Sequence, residues 1–136
     1  MKKILVVDDD TDLIEELASL FSRNDYKVER AENGRAGLEK AHEFKPDLII
    51  LDLMMPGMHG FEVCQAVRQD DKLKDVRILV VSGKRYQVDY RAADRLGANM
   101  FLSKPFDQGK MLEAVVTMIG KPGDPLPRVL DNPGPG

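Results

Sequence analysis

Tryptophan is missing from the chain, cysteine occurs once, and no apolar run approaches the roughly 20 residues that span a bilayer. The lone Cys64 cannot form an internal disulfide, so no disulfide framework shapes the fold, in keeping with a reducing compartment. The start, MKKILVVDDD, turns acidic too soon for a signal peptide. A cytoplasmic protein with no membrane partner is therefore expected. A basic excess is also lacking: the net charge of −3 disfavours a nucleic-acid surface, so a protein or a small molecule is the expected partner, with no direct nucleic-acid contact. What remains is a chain of 136 residues, 43% apolar and 32% charged, sized and balanced for one globular domain.

Apolar and polar residues alternate in blocks. Residues 3 to 7 (KILVV) are short, apolar and β-branched, and Ile14, Leu17, Ala18 and Phe21 then follow at helical spacing. A weaker strand is expected over 26 to 31, a helix over 36 to 44 after the Asn33-Gly34 turn, and a break at Pro46. The run DLIIL at 47 to 51 reads as a central parallel strand covered on both faces. After the loop MMPGMHG, Phe61, Cys64 and Val67 share a helical face, and Cys64 is expected in the core. ILVV at 78 to 81 is another buried strand, 87 to 96 a polar helix and 99 to 102 a short strand. Met111, Leu112, Val115, Val116 and Ile119 line a last helix. Five strands alternating with five helices predict an α/β fold with a doubly wound five-stranded parallel sheet. Beyond Ile119, residues 121–136 hold five of the eight prolines and three of the eleven glycines, which marks a tail or linker after a domain of residues 1–120.

The strands end in chemistry. Asp8 and Asp9 follow the first, Asp52 the third, Ser82 the fourth and Lys104 the fifth, and in a doubly wound sheet these ends converge where ligands bind. Three acids gathered at neighbouring strand ends repel one another and need a positive partner. Their hard oxygens suit Mg²⁺, which is commonly held by one or two carboxylates together with phosphate oxygens. Asp52 has the chemistry of a nucleophile on phosphorus, giving an aspartyl phosphate, with metal and lysine neutralising the transferring group and Ser82 donating to a phosphoryl oxygen. Asp10 and Asp12 read more simply as caps of the following helix.

In this order, VVDDD at 6 to 10, LIILDLMMPGMHGFEV at 48 to 63, ILVVSG at 78 to 83 and GANMFLSKPF at 97 to 106 closely resemble the receiver domain of two-component response regulators. The resemblance covers residues 3 to about 119. It implies a flavodoxin-like strand order 2-1-3-4-5. It also implies that Asp52 is the phosphoacceptor, that Asp8, Asp9, Asp52 and the backbone carbonyl of Met54 hold Mg²⁺, and that Lys104 contacts phosphate. Ser82 and Phe101 then correspond to the switch pair, and the Lys104–Pro105 bond is expected to be cis. Ser82 stands where Thr is common and keeps the hydroxyl; Phe101 stands where Tyr is frequent and has no phenol to donate. The implied partners are a histidine kinase or phosphotransfer protein and an output protein that the sequence does not identify. Many members dimerise through the fourth helix, fifth strand and fifth helix, which adds a homodimer to the expectations. The chain is thus expected to be a signalling switch rather than an enzyme.

Two rivals fit less well. A phosphatase built on an Asp nucleophile wants a second acid close after it, where Leu53 and Met54 stand. A flavin-binding module wants a hydroxyl- and glycine-rich phosphate loop after the first strand, where this chain has acids.

Overall fold

The computed structural model describes residues 2–53, 60–83 and 97–127, with the Ser82 side chain outside that description. The first strand, β1 (Lys3–Val7), enters α1 (Thr11–Arg23) through an Asp10 cap, and α1 leads to β2 (Lys27–Ala31). Asn33 caps α2 (Gly34–Phe44) through a 2.8 Å bond from the Ala36 N–H, and β3 (Leu48–Asp52) follows. Then come α3 (Gly60–Gln69), β4 (Arg77–Gly83), β5 (Met100–Lys104) and α4 (Gln108–Ile119), which Asp107 caps. The helix expected at 87–96 lies outside the described residues, as does the loop at 54–59.

All strand pairs are parallel, in the order β2-β1-β3-β4-β5, so the expected topology is present. The central strand β3 is buried at every position, which accounts for its unbroken apolar run. Alternate side chains feed two cores. Ile4, Val6, Leu48, Ile50, Leu79 and Val81 meet the apolar faces of α1 and α4. Leu5, Val7, Ile49, Leu51, Ile78 and Val80 meet α2 and α3, where Cys64 is buried as expected and its thiol is pushed up to about 11, chiefly by burial.

The strands run further than their apolar cores suggested. Asp52, Ser82 and Lys104 are the last or nearly the last residues of their strands, not the first residues after them, because the ladder continues through Asp52 beside Val81, Ser82 beside Ser103 and Gly83 beside Lys104. The backbone at Asp52, Ser82 and Lys104 is thereby fixed by the strand ladder rather than by a loop. Beyond α4, residues 121–127 contain neither helix nor strand, and the Asp124 N–H donates to the Lys121 carbonyl at 2.9 Å in a turn.

Candidate functional site

Three strand ends bring a buried charge cluster together. Asp8 follows β1 and its N–H donates to the Ala31 carbonyl at 3.2 Å, tying it to the end of β2. Asp52 closes β3. Asp8 and Asp52 are only 2% and 5% exposed, whereas Asp9 is exposed. Carboxylate oxygens of Asp8, Asp9 and Asp52 lie within 4.8 Å of one another. Lys104, at the end of β5, places its Nζ 2.9 Å from Asp8 Oδ2 and 3.7 Å from Asp52 Oδ2. The Asp10 N–H donates to the other oxygen, Asp8 Oδ1, at 3.0 Å.

Electrostatics follow from this packing. Burial raises the Asp8 carboxyl above its ordinary range; the Asp10 N–H and Lys104 pull it down without offsetting burial, and the charge of Asp52 adds to the rise. Burial also works against the Lys104 ammonium, but its hydrogen bond to Asp8 and the charges of Asp8, Asp52 and Asp10 outweigh that and raise it. Among the described residues, one ammonium faces three carboxylates, so further positive charge is favoured here. The donor set is all oxygen and anionic, with one ligand at the solvent side, which fits a hard divalent cation such as Mg²⁺ better than a soft transition metal.

Of the residues singled out in the sequence, Asp8, Asp9, Asp52 and Lys104 converge. Ser82 occupies β4 next to the site by register with Ser103. Phe101 sits on β5, half-buried against the α2–α3 core. Met54 lies outside the described residues. The Lys104–Pro105 peptide is cis. Two contributors escaped the sequence reading. Asp10 does cap α1, its Oδ1 accepting the Leu13 N–H at 3.1 Å, but its own N–H also holds Asp8. An acid two residues before a cap is the available signal, since Asp side chains bond the backbone N–H two positions on. Gly60 is the other. A Cβ on it would stand 2.7 Å from the Asp52 carbonyl oxygen, and sequence alone offered only a loop glycine.

The family model for the response regulator receiver domain matches residues 4–116. Protein PilH of Pseudomonas aeruginosa is 30% identical over 115 residues, covering 85% of this chain and 95% of PilH. The alkaline phosphatase synthesis transcriptional regulatory protein PhoP of Bacillus subtilis is 40% identical over 105 residues, 77% of this chain but 43% of PhoP. The DNA-binding dual master transcriptional regulator RpaA of Synechocystis is 34% identical over 119 residues, and the match takes in 49% of its length. The chain therefore spans about half of some curated relatives and nearly all of another. Among solved structures, chemotaxis protein CheY4 of Vibrio cholerae superposes with a TM-score of 0.81 at 32% identity, over 86% of this chain and 98% of that one. Sheet order, site and matches agree: this chain belongs to the receiver-domain family of two-component response regulators, a family of signalling domains.

Proposed function

We propose that the chain is a phosphorylation-controlled switch in which Asp52 accepts a phosphoryl group from a histidine kinase or phosphotransfer protein. The observation that carries this reading is the convergence of three carboxylates and one ammonium at the carboxyl ends of three strands. An oxygen of the Asp52 carboxylate forms the new bond to phosphorus as the donor's P–N bond breaks and its imidazole nitrogen keeps the electron pair. Asp8, Asp9, Asp52 and the Met54 carbonyl are the proposed Mg²⁺ ligands. The cation, when bound, would neutralise charge on the transferring phosphoryl oxygens. Lys104, fixed at the end of β5 and within 3.7 Å of Asp52, is a side-chain cation in reach of the same oxygens. Ser82 is the proposed hydroxyl donor to the phosphoryl group and Phe101 the aromatic that responds.

Lys104 and Phe101 share β5, which supports placing the proposed homodimer contact on β5 and α4, together with the segment 87–96. The net charge of −3 argues against direct nucleic-acid contact by this chain, and the cytoplasm is the compartment proposed for it. Residues 1–120 are the proposed phosphorylated unit and 121–136 its tail.

Intact mass after incubation with Mg²⁺ and acetyl phosphate tests the reading. The wild-type chain is expected to gain one phosphoryl group, and Asp52→Asn none. An equal gain in Asp52→Asn, or full labelling of wild type in excess chelator, would refute it.

A further inference from the structure

Both oxygens of the Asp8 carboxylate are held, by different parts of the fold. Lys104 grips Oδ2 from β5, and the Asp10 N–H grips Oδ1 from the turn between β1 and α1. The second grip depends on where the Asp10 backbone sits. Asp10 has extended backbone angles, φ −86° and ψ 100°, its side chain accepts the Leu13 N–H, and its carbonyl accepts the Ile14 N–H at 3.0 Å. Ile14, Leu17, Ala18, Leu20 and Phe21 bury α1 in the core, so the helix is a firm anchor for that cap. The Asp10 side chain is exposed, and its carboxylate is not among the three that converge.

We infer that Asp10 is a positioning residue for the cation site: its side chain caps α1, the cap fixes the Asp10 N–H, and that N–H orients the Asp8 carboxylate toward Asp9 and Asp52. The inference rests on the reading that these three acids hold Mg²⁺. It differs from a role for the Asp10 charge, which would draw a cation wherever the turn happened to lie. A carboxylate anchored at one oxygen loses less freedom when it binds metal, and loss of such outer support commonly lowers metal affinity by about 10–100-fold.

The test is Mg²⁺ titration by isothermal calorimetry on the full chain and on Asp10→Ala, Asp10→Asn and Asp10→Ser. Asn and Ser retain an acceptor for the Leu13 N–H but carry no charge, and Ala retains neither acceptor nor charge. Asp10→Ala is expected to bind Mg²⁺ about tenfold more weakly, at the lower end of the range for lost outer support, and both capping variants within about twofold of wild type. If Asn and Ser weaken binding as much as Ala, charge rather than orientation is responsible and the inference is overturned. Wild-type affinity in Asp10→Ala overturns it equally. Should Asp10→Ala fail to fold, Asp10→Gly takes its place, since Gly is far better tolerated than Ala at a helix cap and still lacks the acceptor. A wild-type chain that binds no Mg²⁺ would overturn the cation reading itself, and this inference with it.

Discussion

Beside the candidate site, α3 packs against the end of β3 through a residue with no side chain. Gly60 begins α3, its N–H donates to the Leu53 carbonyl at 3.1 Å, and a Cβ there would lie 2.6 Å from Leu53 Cα and 2.7 Å from the Asp52 carbonyl oxygen. Both atoms are backbone and cannot swing aside. The helix can sit this close to the end of β3 only because position 60 is glycine, and the end of β3 carries Asp52. Gly60→Ala should therefore push α3 and the Asp52 backbone apart. The expected cost is about 1–3 kcal/mol, as for other overpacked cores, measured by urea unfolding, together with slower phosphorylation of Asp52 by acetyl phosphate. Gly123 is the control: a Cβ there meets nothing within 4 Å, so Gly123→Ala should change stability by less than about 0.5 kcal/mol. Equal effects at the two positions would contradict the steric account.

Elements differ in how openly the sequence declares them. The strands were legible because β1, β3 and β4 are buried on both faces and need continuous apolar runs, and α1 was legible because one face alone meets the core. The site acids and Lys104 were legible because they terminate those runs. Strand ends were less so: parallel pairing carries β4 and β5 two residues past their apolar stretches, and ladder hydrogen bonds leave no mark on composition. Long-range contacts to backbone carbonyls leave none either. Arg68, in the last turn of α3, donates through Nε and Nη2 to the Gly97 carbonyl at 3.0 and 2.6 Å, through Nη1 to the Lys74 carbonyl at 2.7 Å, and through Nη2 to Asn99 Oδ1 at 2.9 Å. Gly97 adopts φ +97°, and a Cβ on it would run into the Arg68 side chain at 2.6 Å, so the pair is fitted as a unit. This guanidinium fastens α3 to the chain entering β4 and β5. Arg68→Met keeps much of the apolar stem and strands those acceptors, with an expected loss of at least about 2 kcal/mol in chemical unfolding. Arg68→Lys should recover little of it, since an ammonium does not reproduce the fork. Full recovery in the lysine variant would mean that charge, not geometry, holds these elements together.

At the scale of the molecule, the two ends of the sheet have opposite relations to stability. At the amino ends, Lys2 donates to the Ile119 carbonyl and, at 2.7 Å, to that of Lys121; Tyr26 Oη donates to the Gly120 carbonyl at 2.6 Å, and Arg77 to that of Met118 at 2.9 Å. These donors satisfy carbonyls that the end of α4 leaves open, and they stabilise the fold. At the carboxyl ends, Asp8 is buried beside Asp52 and does the reverse. Its folded-state pKa is raised from the ordinary 3.8, so the folded chain holds that proton more firmly than the unfolded one, and stability falls as pH rises through the interval above 3.8. Lys104 is raised from 10.5, so its stabilisation is fully present below 10.5 and is lost as pH climbs through its folded-state value. Once ionised, Asp8 is therefore carried by the fold at a cost, while below 10.5 the fold keeps the full benefit of Lys104. Replacing Asp8 by asparagine should relieve that cost, while the amide oxygen of the new side chain would still accept the Asp10 N–H. In chelator, Asp8→Asn is expected to melt about 3 °C higher than wild type by scanning calorimetry at pH 7, a shift corresponding to about 1 kcal/mol in a domain of this size. Added Mg²⁺ should reverse the order, raising the wild-type midpoint with concentration and leaving the variant nearly unmoved, because the proposed set of three carboxylate ligands is intact only in wild type and a ligand that binds the folded state alone stabilises it. If Asp8→Asn melts lower than wild type in chelator, the Asp8–Lys104 ion pair outweighs burial, and the acid cluster is a stabilising feature in its own right.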